Sequence, residues 1–519
     1  MPEGVSTKTI SKATISLYHL CIENRQEHSP EGEIPDQNNS KNAHFVTYHA
    51  QMRITPTDSL SCASSSSFPL NSQNHDGLIF HHHHQTLLLL PIAYTPNSIR
   101  SIFSISNRRR RRRRRGEECD GRWIHIRKLP SRFNLDLLGR CSDYPIYKNF
   151  CPYISNHGLG PKTHNRSHSW YRTDPHMLEL IFHRRILEYP CLTADPTRAD
   201  AIYLPYYAGI DSLRFLYGPD VNSSAEHGLD LHHFLRSDAP QIWSRNNGHD
   251  HFLVMARASW DFSQPLSWDP PVWGTSFLEL PEFYNVTALT LESRAWPWQE
   301  QALPYPTSFH PANLARLQSW LERARRARRT KLMMFAGGGG VSSSPNIRHS
   351  IRTECANATG VCEVVDCSKG VCEHDPIRYM RPMLRASFCL QPPGDTPTRR
   401  ATFDGIVAGC IPVFFEEMSA KSQFGWHMAE DEYKEFSVFI AKEEVVMKGV
   451  RISEVLMGIP AAEVRRMRER VLDLVPRVTY RRHDSSVGMR STKDAFDVAV
   501  EGTIRRIKER LDGHLQQLI

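Results

Sequence analysis

Arg399, Arg400 and Asp404 lie close together in a segment with the composition of a ligand-binding turn. The segment runs from Cys389 to Phe415 and reads CLQPPGDTPTRRATFDGIVAGCIPVFF, an apolar stretch, a Pro/Gly turn, a helical pattern and a second apolar stretch. The first turn of a helix presents unpaired backbone N–H groups and the positive end of the helix dipole. Two arginines at this position cost stability unless an anion binds there, so the pattern is typical of a diphosphate site.

The acid that follows suggests a second contact. Asp404 is four residues after Arg400 and therefore on the same helix face, where it could accept hydrogen bonds from ribose hydroxyls. A structural alternative explains the same residues as an Arg400–Asp404 surface ion pair beside a solvent-facing Arg399. Spacing alone does not separate the two interpretations.

The flanking residues predict the elements that position this group. RASFCL and CIPVFF are apolar and predict two strands, while Thr396 and Pro397 are a favourable N-cap and first helical residue. The helix is expected to run to about Ala408, with Gly409 at its C-terminal end. A strand, turn and helix in this order place the ligand at the carboxyl edge of a sheet.

The same alternation extends over residues 117–519. DPHMLELIFHRRILEYP predicts a helix capped by Asp174 with Pro175 in its first position. Strands of near-continuous apolar character imply parallel sheets covered on both faces, which is an α/β fold. The strands are predicted in WIHIRKLP, ADAIYLPYY, HFLVMARASWDF, TALTLES and KLMMFAGGGG. Between Pro304 and Asn313 both periodicities break, which indicates a domain boundary before the helix LARLQSWLERARRARR.

Charge excludes one class of partner. The chain has 519 residues, enough for two or three domains, and a formal net charge of +8. Arg108 to Arg115 is an unbroken run of eight arginines, without which the net charge would be zero. The excess charge is therefore one local tract rather than a basic surface, and no nucleic-acid partner is expected.

Residues 1–116 are expected to be a low-complexity region that is disordered or mispredicted. They contain Ser-rich, His-rich and Leu-rich patches with little sustained periodicity. The histidines His81 to His84 have no acidic or cysteine partners at ligand spacing, which favours low complexity over a metal site. We expect no transmembrane or secretory segment here, because the best apolar stretch, Leu87 to Tyr94, is too short and interrupted by Pro91.

Cysteines and sequons indicate an oxidising compartment. Ten of the twelve cysteines follow Gly116, a number that predicts disulfides; a zinc site in CANATGVCEVVDCSKGVC is the alternative, although it lacks a C-x-x-C pair. Glycosylation sequons begin at Asn165, Asn222, Asn285 and Asn357. Together these features predict a lumenal or extracellular domain.

Several long motifs carry a family resemblance over residues 117–510. CDGRWIHIRKLPSRFNLDLLGRC, CLTADPTRADAIYLPYYAGIDSLRFL, LPYPTSFHP and SFCLQPPGDTPTRRATFDGIVAGCIPVFF resemble the exostosin-like glycosyltransferases of family 47, in the plant branch of xyloglucan galactosyltransferases. The resemblance implies a GT-B architecture, in which two Rossmann-like domains face each other across a cleft. It assigns residues 117–310 to an acceptor-side domain and 311–519 to a nucleotide-sugar-binding domain with C-terminal helices. It also implies a UDP-sugar donor, inversion at the anomeric carbon and a Golgi membrane location with a lumenal catalytic domain.

The resemblance assigns the donor site residue by residue. Arg399 and Arg400 take diphosphate roles and Asp404 a ribose role, while Gly394 belongs to the same donor motif and Arg348 carries over as a phosphate contact. The glycine run Gly337 to Gly340 is longer than in relatives, so it could allow close approach to the donor or form a flexible loop.

Chemistry of this kind needs a general base and stabilisation of the departing diphosphate. Asp261 and then Asp211 are the expected catalytic bases, since both follow predicted strands; capping of a loop or helix is the structural alternative for either. His427 and Glu292 are further candidates for cleft contacts. No Asp-x-Asp triplet occurs in the sequence, so we expect metal-independent catalysis with no cofactor besides the UDP-sugar.

Aromatic residues suggest where a polysaccharide acceptor binds. Trp296 and Trp298 flank a proline in RAWPWQE, and Tyr207 lies upstream; they could stack on sugar rings or belong to the core. The resulting hypothesis is transfer of a sugar, galactose first, from a UDP-sugar to xyloglucan xylose. Other UDP-hexoses, uronates or hemicelluloses are variants, and a catalytically silent carbohydrate-binding or scaffold protein is the alternative. Where the family has a tail, membrane helix and stem, this chain has its low-complexity region.

Overall fold

The structure, a computed structural model, describes most of the chain after residue 117. The described residues are 118–144, 149–163, 169–216, 223–267, 273–295, 297–338, 346–368, 372 and 375–518. The expectations for residues 1–116, for Trp296 and for Gly339 and Gly340 lie outside these residues. We call residues 118–310 the first half and residues 311–518 the second half.

Two parallel sheets of five strands form the framework, as the apolar strands predicted. The first sheet has the order β1-β2-β3-β4-β5, with β1 (Ile124–Ile126), β2 (Ala201–Leu204), β3 (His251–Ala258), β4 (Thr287–Glu292) and β5 (Glu300–Ala302). The second has the order β10-β9-β8-β6-β7, with β6 (Lys331–Gly337), β7 (Cys362–Asp366), β8 (Ala386–Gln391), β9 (Ile411–Phe414) and β10 (Val438–Phe439). The α/β prediction is therefore confirmed.

Helices connect and cover the strands of both sheets. Those of the described residues are α1 (Leu135–Leu138), α2 (Cys151–Ile154), α3 (Leu178–Ile186), α4 (Ala208–Asp211), α5 (Leu213–Leu216), α6 (Glu226–Ser237), α7 (Pro240–Ser244), α8 (Leu314–Arg326), α9 (Ile347–Asn357), α10 (Pro376–Arg385), α11 (Arg400–Val407), α12 (Tyr433–Phe436), α13 (Lys442–Lys448), α14 (Ile452–Met457), α15 (Ala461–Val478), α16 (Val487–Arg490) and α17 (Ala495–Leu518). Among them, none is both long and apolar enough to cross a bilayer.

Both faces of the first sheet are covered. Alternate residues of a strand point to opposite faces, so Phe252 of β3 packs on one face and Leu253 on the other. The Phe252 face is covered by α3 and by the C-terminal helix α17, whose Phe496 ring lies 4.7 Å from that of Phe182. The chain thus returns from the second half to complete the core of the first.

The start of α3 follows the predicted capping. The Asp174 carboxylate accepts a hydrogen bond from the His176 backbone N–H at 3.0 Å, and Pro175 follows the cap. One 3-10 turn, Pro175–Met177, precedes the α-helix itself, which begins at Leu178.

The start of α11 differs from the prediction. Thr396 and Pro397 were expected as cap and first residue, but the helix begins at Arg400 with Arg399 in extended conformation at the N-cap. The reason is a long-range contact: the Thr398 backbone N–H donates to the Glu292 carboxylate at 2.7 Å, which holds the preceding loop out of the helix. The helix ends at Val407, and Gly409, just after the C-cap Ala408, has a φ of +64°, as the glycine there predicted.

The cysteine prediction is confirmed in favour of disulfides. All ten cysteines after Gly116 pair, as Cys119–Cys191, Cys141–Cys151, Cys355–Cys362, Cys367–Cys372 and Cys389–Cys410. The last pair joins β8 to the residue before β9 and so closes the loop that contains α11.

Candidate functional site

A cleft of about 890 Å³ opens at the carboxyl ends of β6 and β8. The order β7-β6-β8-β9-β10 reverses between these two strands, and open parallel sheets bind ligands at such a reversal. Both halves contribute to the lining. The first half supplies Asn149, Pro152, Tyr153, Pro161 and Arg172, and the second half supplies the ends of β6 and β8, part of α10 and the start of α11.

Arg348 and Arg399 meet around Gly394 at this cleft. The Arg348 Nε donates to the Pro393 carbonyl at 2.9 Å, and the Arg399 Nη2 donates to an Asp395 oxygen at 2.7 Å. A Cβ at Gly394 would overlap the ends of both arginine side chains, so a larger residue there would displace the two guanidinium groups from the positions they have here. Three of the predicted donor residues, Arg348, Gly394 and Arg399, therefore lie together, and the two guanidinium groups line the cleft beside the Asp395 carboxylate.

Arg400 has a different position from Arg399. Its Nε donates to Asp404 at 3.0 Å, its Nη2 to Ser308 Oγ at 2.7 Å and to the Tyr379 hydroxyl at 3.1 Å, and its Nη1 to the Thr173 carbonyl. Thr173 and Ser308 belong to the first half. Arg400 lines the cleft and at the same time links the two halves.

Asp404 is buried at the cleft, rather than on the surface as the structural alternative required. Its Oδ2 accepts from Arg400, while its Oδ1 has no hydrogen-bond partner in the part of the chain that the structure describes. Burial raises the pKa of Asp404 against the lowering effect of Arg400. An unpartnered buried acceptor at a cavity is suited to a hydroxyl donor such as a ribose.

Asp261 lies one turn beyond β3 and is held by its neighbours. Its Oδ2 accepts from Arg257 Nε at 2.5 Å, and its Oδ1 accepts from Trp273 Nε1 at 3.0 Å. Asp261 is not among the described residues that line the cleft. Its role as a base stays a prediction.

Asp211 is the last residue of α4 and is likewise held. It accepts from the Tyr206 hydroxyl at 2.6 Å and from Arg214 Nε at 2.9 Å, and burial raises its pKa. The Tyr206 hydroxyl also contacts His227 Nδ1 at 2.7 Å, where burial lowers the pKa of the imidazole to about 3. This buried group lies outside the described lining of the cleft.

Of the predicted acceptor residues, Tyr207 and Trp298 are described, and their surroundings differ. The Tyr207 side chain is buried, and its hydroxyl contacts His183 Nδ1 at 2.9 Å. Trp298 is 51% exposed, with the Arg294 guanidinium 4.8 Å above its ring. An exposed indole of this kind can stack on a sugar ring, whereas the buried Tyr207 side chain contacts α3 through His183.

Of the two further candidates for cleft contacts, neither lines the cleft among the described residues. His427 is fully buried, and its Nε2 contacts the Ala495 carbonyl at 2.9 Å. Glu292 ends β4 and contacts Thr398, directly before the arginine pair.

Sequence reasoning missed several cleft residues. Arg172 and Tyr153 reach the cleft from the first half, and Tyr379 of α10 lies beside Arg400. Asp375 and Pro376 form an N-cap and first helical residue that mark the start of α10 in the sequence. No neighbouring residue indicates that Tyr379 of this helix contacts Arg400. No group of three or more His, Cys, Asp and Glu side chains within the described ranges is arranged to hold a metal.

Comparison with known proteins gives concordant matches. The family model of the exostosin GT47 domain matches residues 118–456. A probable xyloglucan galactosyltransferase GT19 of Arabidopsis thaliana is 70% identical over 400 residues, covering 76% of this chain and 92% of that protein. Xyloglucan galactosyltransferase MUR3 of the same plant is 37% identical, covering 79% of this chain and 65% of that protein. A xyloglucan-specific galacturonosyltransferase 1, also from Arabidopsis thaliana, is 35% identical, covering 75% of this chain and 58% of that protein.

Proposed function

The chain belongs to the exostosin GT47 family of glycosyltransferases, and we propose that it transfers galactose from UDP-galactose to xylosyl side chains of xyloglucan. The relatives named above act on xyloglucan by their descriptions, and the 70% identity over most of both chains supports the same acceptor here. The observation that carries the donor side is the pair of guanidinium groups, Arg348 and Arg399, fixed around Gly394 at the carboxyl edge of the second sheet.

In this proposal the cleft binds the donor through its charges. Arg348 and Arg399 contact the diphosphate, together with backbone N–H groups at the start of α11, which is preceded by the extended Arg399. Asp404 Oδ1 accepts from a ribose hydroxyl. Arg400 supplies positive charge behind the diphosphate and links the two halves through its hydrogen bonds to Thr173 and Ser308.

Transfer with inversion then takes place in one displacement. A base removes the proton of the acceptor hydroxyl as its oxygen attacks the anomeric carbon, and the bond to the diphosphate breaks with UDP as leaving group. The arginines stabilise the negative charge that develops on UDP. We propose Asp261 as the base and Asp211 as the second candidate, and no metal takes part in this scheme.

The acceptor side is proposed on the first half. We propose that the exposed Trp298 stacks on a sugar of the acceptor and that Trp296 joins it. Tyr207 supports the neighbouring helix through its contact with His183.

The five disulfides favour an oxidising compartment such as the lumen of the secretory pathway. We propose the Golgi lumen as the site, with an association with the Golgi membrane.

The test is UDP release by the full chain, secreted behind a heterologous signal peptide. UDP-galactose, UDP-glucose, UDP-galacturonate and UDP-arabinopyranose are each offered with and without xyloglucan oligosaccharide, in EDTA and in Mg²⁺. The proposal expects acceptor-dependent release with UDP-galactose that EDTA leaves unchanged. If UDP is released only with UDP-galacturonate, the transferred sugar is galacturonate instead of galactose. If folded protein releases no UDP with any donor, the binding-only alternative is favoured.

A further inference from the structure

We propose that Glu292 is a positioning residue of the donor site, which holds Arg399 in place from the opposite half of the molecule. This inference rests on the proposed function, because that function gives Arg399 its role at the diphosphate. Glu292 is the last residue of β4 and is fully buried. A carboxylate buried at the carboxyl end of a strand is retained only where several donors satisfy it.

The contacts of Glu292 cross from one half to the other. One oxygen, Oε2, accepts from the Thr398 backbone N–H at 2.7 Å and from the Thr398 hydroxyl. The other, Oε1, accepts from Trp260 Nε1 at 2.7 Å within its own half. The Thr396 hydroxyl also bonds to this carboxylate. Glu292 is therefore fastened to the first half by one oxygen and holds the loop of the second half by the other.

Both threonines held by Glu292 also accept hydrogen bonds from Arg399, in addition to Asp395. Arg399 Nη1 donates to Thr396 Oγ1 at 2.8 Å and to the Thr398 carbonyl. A chain of hydrogen bonds thus leads from Glu292 through the threonines to the guanidinium beside Gly394. Loss of the first link frees the loop that carries Arg399.

Asp250 is a buried carboxylate beside the same sheet that lacks this arrangement. Asp250, which precedes β3 at the amino edge, is also fully buried, and its partners Arg245, Asn246 and His251 all belong to its own half. A carboxylate that only stabilises the first half would resemble Asp250. The contacts of Glu292 instead meet the residues directly before the arginine pair.

A loop fixed in this way binds the donor with less ordering of side chains. A diphosphate needs its cations within a fraction of an ångström of their final place, and small displacements cost up to about a hundredfold in rate. Since the link starts in the acceptor half, any movement of that half reaches Arg399.

Steady-state kinetics of five proteins test the link: wild type, Glu292→Gln, Thr398→Val, the double variant and Asp250→Asn. The amide keeps the shape of Glu292 but cannot accept from both Thr398 and Trp260. We expect Glu292→Gln and Thr398→Val each to raise the donor KM by about tenfold or more, with the acceptor KM changed by less than about twofold. The double variant should be no worse than the more severe single variant. Asp250→Asn should lower Tm without raising the donor KM.

Equal increases of both KM values, or single effects that multiply in the double variant, would overturn the proposal. If Glu292→Gln does not fold, Thr398→Val alone decides through the same split of KM values. Failure of the proposed function looks different, since wild type would then turn over no donor. In that event the Tm shifts decide: a double-variant shift equal to the larger single shift supports the link, and a shift equal to their sum contradicts it.

Discussion

Arg185 Nη1 lies 2.5 Å from Asp494 Oδ2, and both side chains are at most 2% exposed. Arg185 is in α3 of the first half, while Asp494 immediately precedes α17, the helix that returns from the second half. The carboxylate also accepts from the Arg481 backbone N–H at 2.8 Å. Burial would raise the pKa of Asp494, but Arg185 above all lowers it to about 2.

Replacing Arg185 should therefore destabilise the protein strongly. Arg185→Met removes the cation nearest to the buried Asp494 carboxylate, which costs about 3–5 kcal/mol. The measurement is the free energy of unfolding from urea titration. Arg184→Met is the matched control on the same helix, since Arg184 forms a partly exposed pair with Glu188 and its loss should cost about 1 kcal/mol or less. Equal losses for the two variants would contradict the account.

Glu179 should make stability fall as pH rises. Its Oε1 accepts from the Gly209 and Ala256 backbone N–H groups at 2.6 and 3.1 Å, and burial raises its pKa to about 8. The folded state then binds a proton that the unfolded state releases above about pH 4.5, so stability is lost progressively between about pH 4.5 and 8.

Glu179→Gln removes this dependence. The amide resembles the protonated acid, so the free energy of unfolding of the variant relative to wild type should increase from pH 5 to pH 8, by up to a few kcal/mol. Glu188→Gln, on the same helix but partly exposed, is the control for removing one charge. A constant difference between Glu179→Gln and wild type over this range would show that burial does not keep the Glu179 carboxyl protonated.

The Cys389–Cys410 disulfide should contribute more to the free energy of unfolding than a disulfide that closes a shorter loop. It closes a loop of sequence separation 21 that contains α11, whereas Cys355–Cys362 spans only 7. Loss of a loop of this length by Cys389→Ala with Cys410→Ala costs about 3 kcal/mol, and the shorter loop costs less. The measurements are the free energy of unfolding in urea and the donor KM of this double variant and of Cys355→Ala with Cys362→Ala. Loss of Cys389–Cys410 should raise the donor KM, and loss of Cys355–Cys362 should not. A higher donor KM on loss of Cys355–Cys362 alone would contradict this expectation.

Asp261 should behave as a base rather than a structural acid if the proposed mechanism holds. Asp261→Asn retains its acceptor for Trp273 but cannot take a proton, so kcat should fall by about a hundredfold or more with KM values little changed. Asp211→Asn is measured in parallel. If folded Asp261→Asn turns over at nearly the wild-type rate, Asp261 is not the base, and Asp211 becomes the candidate to test.

Local patterns predicted those parts of the fold that local forces decide. Apolar strands such as β3, the Asp174 cap and the φ of Gly409 each depend on a few neighbouring residues, and all three were readable. The start of α11 was not, because Glu292, 106 residues earlier, binds the Thr398 backbone N–H.

The same limit applies to the site. The positions of Arg399 and Gly394 followed from motif and resemblance, but the double use of Arg400 depends on Thr173 and Ser308, which are distant in sequence. Packing of Phe496 against Phe182 is also a contact between distant segments, and no periodicity within α17 identifies its partner.

The affinity of UDP for the folded chain, measured by calorimetry in wild type, Arg348→Ala and Arg399→Ala, tests whether this cleft is the donor site. Arg385→Ala is the control, because Arg385 pairs with Glu363 on the surface of the same half and does not line the cleft. We expect each cleft variant to weaken UDP binding by about tenfold or more and Arg385→Ala to leave it unchanged. Unchanged affinity in Arg348→Ala and Arg399→Ala would contradict the assignment of this cleft as the donor site.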